Sequence, residues 1–207
     1  MNAFSPPTPE RFAAAIARFD AENARDPRKI ITDEGTAQPL EVVYARRLTD
    51  WVLRLRPDAS ETLRLAARSQ HLCRWEIPRE SFPATRAGYL QWRQKLKAFH
   101  ADKAAEILRE LGYAPELVER VRALNLKRLF PEDAEARVLE DALCLLFLER
   151  QFAELAQKTT REKMIGALQK CWAKMTPAAR SLAQAMTYGS LERQLLTDAL
   201  AGPGAAS

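Results

Sequence analysis

Four side chains with acid-base or metal-binding chemistry fall where helical periodicity calls for a hydrophobic residue. The chain contains only two histidines, His71 and His100. In the stretch from 63 to 79, Leu63, Ala66 and Ala67 keep helical spacing, and the next positions on that face are Gln70 and His71. His100 shares a stripe with Ala104, Ile107, Leu108 and Leu111. Glu41 opens a row continued by Ala45, Leu48, Val52 and Leu55, and Asp141 interrupts the row Ala134, Val138, Leu145, Leu148 and Phe152. Singly, each is more often a satisfied core group than a ligand. Burying an unpaired carboxylate costs several kcal/mol or forces it neutral, so four such intrusions are expected to satisfy one another or share a cation. Imidazole and carboxylate ligands suit one divalent transition metal, Mn, Fe, Co, Ni or Zn, held between helices of a bundle.

The elements that must position these groups all read as helices. Thr8-Pro9 starts a first helix with Phe12, Ile16 and Phe19 on one face, expected to stop near Asp26-Pro27. Residues 27–37 read as a loop, and Pro39 opens a second helix. A third is expected to begin at Asp58, reciprocally capped by Glu61, and to end at Pro78. Pro78 and Pro83 then bracket a short irregular segment with Arg79 and Phe82, suited to covering a pocket. One long helix is expected from about 85 to 111, closed by Gly112, then one from Pro115, then a long one from about 133 to 156. Two C-terminal helices follow, capped by Thr159 and begun by Thr176-Pro177, and the tail 201–207 should be disordered. No segment alternates with period two, so the fold class is all-α. Residues 1–200 read as a single helical domain.

Composition narrows the partners. Among 207 residues, 47% are hydrophobic and 29% charged, which describes a globular chain able to bury a core. The net charge of +5 and pI near 9.3 favour anionic partners, but the basic residues are dispersed, so a phosphorylated small molecule or nucleotide fits better than nucleic acid. Arg74 and Arg79, with Arg46 and Arg47, are candidate phosphate ligands, although arginines on helix surfaces are usually solvated. Tyr89, Trp92 and Arg93 could stack bases, although aromatics at this spacing are more often core. Cys73, Cys144 and Cys171 form no close spacing motif, which excludes a thiolate-rich zinc site and a disulfide framework and implies a reducing cytoplasm. No apolar run approaches the roughly 18 residues that span a bilayer.

The segments 66–72, 99–108 and 139–142 resemble, in order, helices of the HD superfamily of metal-dependent phosphohydrolases, over roughly residues 40–152, with additional C-terminal helices at about 159–200. More closely, the run 86–93 together with 70–75 looks like the family known as domain of unknown function 4202, over nearly the whole chain. The superfamily resemblance implies an HD-like bundle in which Asp141 is a metal ligand, His71 stands where the aspartate of the His-Asp pair would be, and His100 matches a further histidine. Glu41 occupies the place of the first histidine ligand and Gln70 that of the paired one. A mononuclear or metal-free site is what such a ligand set permits.

Two function classes follow. In one, a metal held by His71, His100 and Asp141 activates water for attack on a phosphoester, with Glu41 and His71 as catalytic groups and Arg74, Arg79 and Gln70 binding substrate. In the other, an HD-like scaffold without chemistry binds a nucleotide, RNA or a protein partner. The residues at the His-Asp position favour the scaffold, while polar groups kept on four core stripes favour the enzyme.

Overall fold

Local capping chemistry sets most of the helix starts in the computed structural model, which describes residues 8–32 and 34–201. Helix α1 (Pro9–Asn23) begins where Thr8 accepts from the Arg11 amide through its hydroxyl, with proline in the first turn. Helix α2 (Leu40–Leu55) follows Pro39 directly. Between them the segment read as a loop forms a short hairpin, β1 (Lys29–Ile31) paired antiparallel with β2 (Ala37–Pro39), with Ile30 opposite Gln38. The turn uses Gly35 at φ 76°. Strands of three residues are too short to display alternation, so the sequence pattern could not reveal them.

Helix α3 (Glu61–Ser69) is capped by Ser60, whose hydroxyl accepts from the Leu63 amide, and not by Asp58. It also ends well short of Pro78. Ser69 turns its hydroxyl back to the Leu65 carbonyl, and Cys73 takes a left-handed conformation at φ 54°. The chain then makes two 3-10 turns, at Arg74–Glu76 and Arg79–Ser81. Thr85 caps α4 (Arg86–Glu110), Gly112 at φ 72° lies just beyond its end, and α5 (Pro115–Asn125) follows.

The expected long helix from 133 divides at Gln151 into α6 (Ala134–Arg150) and α7 (Phe152–Lys158). Thr160, one residue past the expected cap, precedes α8 (Arg161–Lys174), and Thr176 caps α9 (Pro177–Gln184). A further helix, α10 (Ser190–Ala201), occupies a stretch that the two-helix expectation merged with its neighbour. Residues 202–207 of the expected disordered tail lie outside the described residues. With helices throughout and one short hairpin among the described residues, the fold is all-α. No helix there is long and apolar enough to cross a membrane.

The described residues group into two compact units, divided between Ala136 and Arg137. The core of the first includes Phe19, Leu48, Leu63, Leu65, Leu72, Leu96, Leu108 and Leu124, all essentially inaccessible. In the second, Leu145, Leu146, Phe152, Met164 and Leu168 are buried, with Tyr188 edge-on to Phe152.

Gly88, in the first turn of α4, touches the chain just before the helix. A methyl group there would stand 2.2 Å from the Pro83 carbonyl oxygen, a backbone atom that cannot swing aside. Gly166, on α8, has open space within 4 Å of the same position. In urea denaturation, Gly88→Ala should therefore lose about 1–3 kcal/mol to overpacking. Gly166→Ala should gain up to about 1 kcal/mol from helix propensity.

Candidate functional site

The polar interior of the first unit starts from Asp26, whose side chain is fully buried. Its Oδ1 accepts from the Arg28 backbone amide and from Arg28 Nε, both at 3.0 Å, and its Oδ2 accepts from Arg28 Nη2 at 2.9 Å and from the Glu41 amide at 3.2 Å. Asp26 therefore ties the entry of the hairpin to the first turn of α2. Arg28 Nη2 also donates to Glu41 Oε1 at 2.8 Å, which leaves the buried Glu41 Oε2 without a partner. Burial raises the Glu41 pKa to about 7, against the opposing pull of Arg74 and then Arg28. Arg28 is raised in spite of its own burial, because Asp26 and Glu41 both hold its charge. The partners thus shift in the sense of an ion pair for arginine and of desolvation for glutamate. Asp26 takes most of the fork, and Glu41 has what remains.

The turn after α3 carries the second part of the site. Asn23 Oδ1 accepts from the Cys73 amide at 3.1 Å and so fixes the left-handed residue. His100 Nδ1 lies 2.7 Å from the Leu72 carbonyl oxygen. A carbonyl only accepts, so Nδ1 carries the proton and Nε2 is left as a lone-pair acceptor, buried and unpaired. The His71 ring stands edge-on to it, 6.0 Å between centroids. Burial lowers the His100 pKa to about 4, which the Leu72 bond opposes and Arg74 reinforces. Burial also pushes His71 well below its ordinary value, and Arg74, His100, Lys127 and Arg93 add to the effect. His71 nevertheless keeps part of its surface open. Both rings are neutral at pH 7.

Arg74 is the charge that Glu41, His71 and His100 all feel. Its guanidinium packs over Trp92, 5.1 Å from the ring centroid, and Trp92 is itself held by donating to the Ile77 carbonyl at 2.9 Å. Burial lowers its pKa; Glu41 counters this, and Arg93 and Arg28 repel it. Among the described residues the Arg74 guanidinium makes no hydrogen bond, so its directional donors remain available to an anion.

The other expected site residues are occupied elsewhere. Gln70 donates from Nε2 to the Asn125 carbonyl at 3.3 Å, with Oε1 buried and unpaired. Asn125 in turn donates to Ser69 Oγ at 2.9 Å. Arg79 donates to the carbonyls of Phe82 and Pro83, so its guanidinium braces the irregular segment and is not offered to substrate. Arg46 pairs with Asp20, and Arg47 lies over Trp51. Asp141 belongs to the second unit, where its two oxygens accept from the Thr176 amide and hydroxyl. Its place on a helical stripe is explained by its bonds to Thr176, the residue that caps α9. Burial raises its pKa and the Thr176 bonds oppose this.

A divalent ion is not matched by this donor set. Among the described residues no three His, Cys, Asp or Glu side chains are gathered as ligands, whereas a catalytic ion ordinarily takes three. His71 and His100 meet, but Asp141 is tied to Thr176. Sequence reasoning missed Asp26 and Arg28, read only as a helix stop and a loop, and Asn23 and Asn125, which partner the turn. Their spacing alone carried no signal, since the bonds to Glu41, Cys73 and Gln70 join distant segments.

The fold and site define a helical protein whose first unit encloses a neutral histidine pair, a near-neutral glutamate and an unengaged arginine. The chain belongs to the family described as Domain of unknown function (DUF4202), which matches residues 13–196. No curated protein and no solved structure matches it.

Glu41 sets a pH signature. A carboxyl whose pKa is raised on folding contributes its full stability below the unfolded value near 4.5, and that contribution is lost as pH rises through about 7. Between those limits the wild type should lose about 1–3 kcal/mol more unfolding free energy than Glu41→Gln. Urea titrations of both proteins across that interval check it; parallel curves would mean that Glu41 titrates normally.

Proposed function

We infer that the first unit binds a phosphorylated small molecule such as a nucleotide, on a scaffold that does not require a metal. The observation that carries this reading is Arg74, whose guanidinium is packed on Trp92 with its donors unengaged and with Arg28 and Arg93 adding positive potential. A phosphate would accept from Arg74, and protonated Glu41 would donate from Oε2. The unpaired acceptors His100 Nε2 and Gln70 Oε1 suit the hydroxyls of a sugar. Dispersed basic residues support a small anion over RNA.

Calorimetry with a nucleotide and sugar-phosphate panel tests the reading. At least one phosphorylated compound should bind, its dephosphorylated counterpart should not, and Arg74→Met should weaken binding about 10- to 100-fold, as expected for loss of a charge-assisted hydrogen bond. Arg109→Met, on the exposed side of α4 and paired with Glu119, should leave affinity unchanged. Absence of binding across the panel, or full affinity in Arg74→Met, overturns the reading.

A hydrolytic version is favoured by one observation, the unpaired Oε2 of a carboxyl whose pKa lies near 7, which suits a group that takes a proton from water. In that case the compound that binds is also turned over, and Glu41→Gln removes turnover while affinity stays within a few-fold. Assays with and without added Mn, Co or Zn separate a metal-dependent phosphohydrolase from this proton-transfer chemistry. Binding without turnover under every condition leaves the scaffold reading.

A further inference from the structure

Two of the three thiols meet in the second unit. Cys144 Sγ, on α6, donates to the carbonyl oxygen of Cys171, on α8, at 3.7 Å, which makes the two cysteines neighbours. Cys144 is buried, whereas Cys171 keeps partial access to solvent. The Cys144 thiol is pushed up by the neighbouring Cys171 and by burial. Cys171 is pulled down by the neighbouring Cys144 thiol, with Lys174 helping and burial opposing. Lys174 stands three residues further along α8 with Nζ 2.8 Å from Glu140 Oε1, so its charge is shared. Asp141 and Glu140 act against ionisation of Cys171. Tyr188 lies close enough for Cys171 to add to the rise, led by burial, that takes its hydroxyl to about 12.

Cys73 has none of these features. Its thiol is buried, 3.9 Å from Glu22 Oε2, and burial pushes it up to about 12. Access, a lowered proton affinity and a second cysteine as neighbour are what distinguish a reactive cysteine from a packed one. All three coincide at Cys171.

We propose that Cys171 and Cys144 form a peroxide-oxidised, thiol-reversible pair that links α6 to α8. The Cys171 thiolate attacks a peroxide oxygen; the S–O bond forms as the O–O bond breaks, the sulfur loses two electrons, and the departing alkoxide or hydroxide takes up a proton. The Cys144 sulfur then attacks the Cys171 sulfenic acid. The S–S bond forms, the S–O bond breaks, and the leaving hydroxide takes the Cys144 proton to become water. A dithiol reductant reverses the reaction by exchange. The sulfurs close to a bonded distance of about 2.05 Å.

The test uses the full chain with hydrogen peroxide under native conditions. Intact mass should fall by about 2 Da, two hydrogens. Proteolytic mapping should find Cys144 joined to Cys171, and dithiothreitol should restore the mass. Cys73 should be alkylated only after denaturation. In Cys144→Ser, Cys171 should stop at the sulfenic acid and be captured by dimedone; in Cys171→Ser, Cys144 should not react at a comparable rate. The wild-type map stands alone should either variant fail to fold. A chain that keeps its helical circular dichroism in peroxide without forming the 144–171 link overturns the proposal, as does a link through Cys73 or a Cys144 that reacts as fast without Cys171.

Discussion

Arg28 has one guanidinium for two buried carboxylates, and its unequal division governs the polar interior of the first unit. Asp26 receives two of its donors and two backbone amides besides, so both of its oxygens are fully partnered. Glu41 receives one donor and keeps one oxygen unpaired. At roughly 1.4 kcal/mol per pKa unit, the field of Arg74 and Arg28 is a substantial attraction, yet desolvation exceeds it. The site therefore holds a proton that is exchangeable near neutrality, beside two imidazoles that hold none. Asp26 thus holds most of the Arg28 fork away from Glu41, so the chemistry of Glu41 depends on this neighbour as well as on its own burial.

Helix starts were legible because capping is local chemistry. Thr8, Thr85, Pro115 and Thr176-Pro177 mark real beginnings, and the misplaced caps lie only one or two residues away, where Asp58 competes with Ser60 and Thr159 with Thr160. The end of α3 was not legible. The apolar pattern continues through Leu72, but the turn is imposed by Asn23 and by Ser69 back-bonding, and the first of these is a partner from another helix. The hairpin escaped notice because its strands are shorter than the pattern that would betray them.

Of the four polar intrusions on core stripes, Glu41, His100 and Asp141 are almost completely buried, and His71 is partly so. Their supposed convergence on one ion is where stripe reasoning reaches its limit. A buried carboxylate can be satisfied by any donor that the fold delivers, and for Asp141 that donor is Thr176, 35 positions along the chain. Periodicity reports that a group faces inward, not what it meets there. Arg74 was marked because it follows His71, and the structure makes it central through Trp92, an aromatic that had two readings, core and stacking surface. It serves as neither alone, being half-buried beneath a cation.

The bond between Cys73 and Asn23 closes a loop of 50 residues, and those from Gln70 and Asn125 close loops of 55 and 56. Loop closure of this length carries an entropic cost that is repaid only when both ends pack. During synthesis, a chain that has emerged as far as α4 already contains Glu41, His71, Arg74 and His100, yet lacks the Asn125 that holds Ser69 and Gln70. Until α5 arrives, neither of these bonds to Asn125 can form. A ribosome-bound fragment ending before α5 therefore carries all four side chains without the bonds that hold the end of α3 in place.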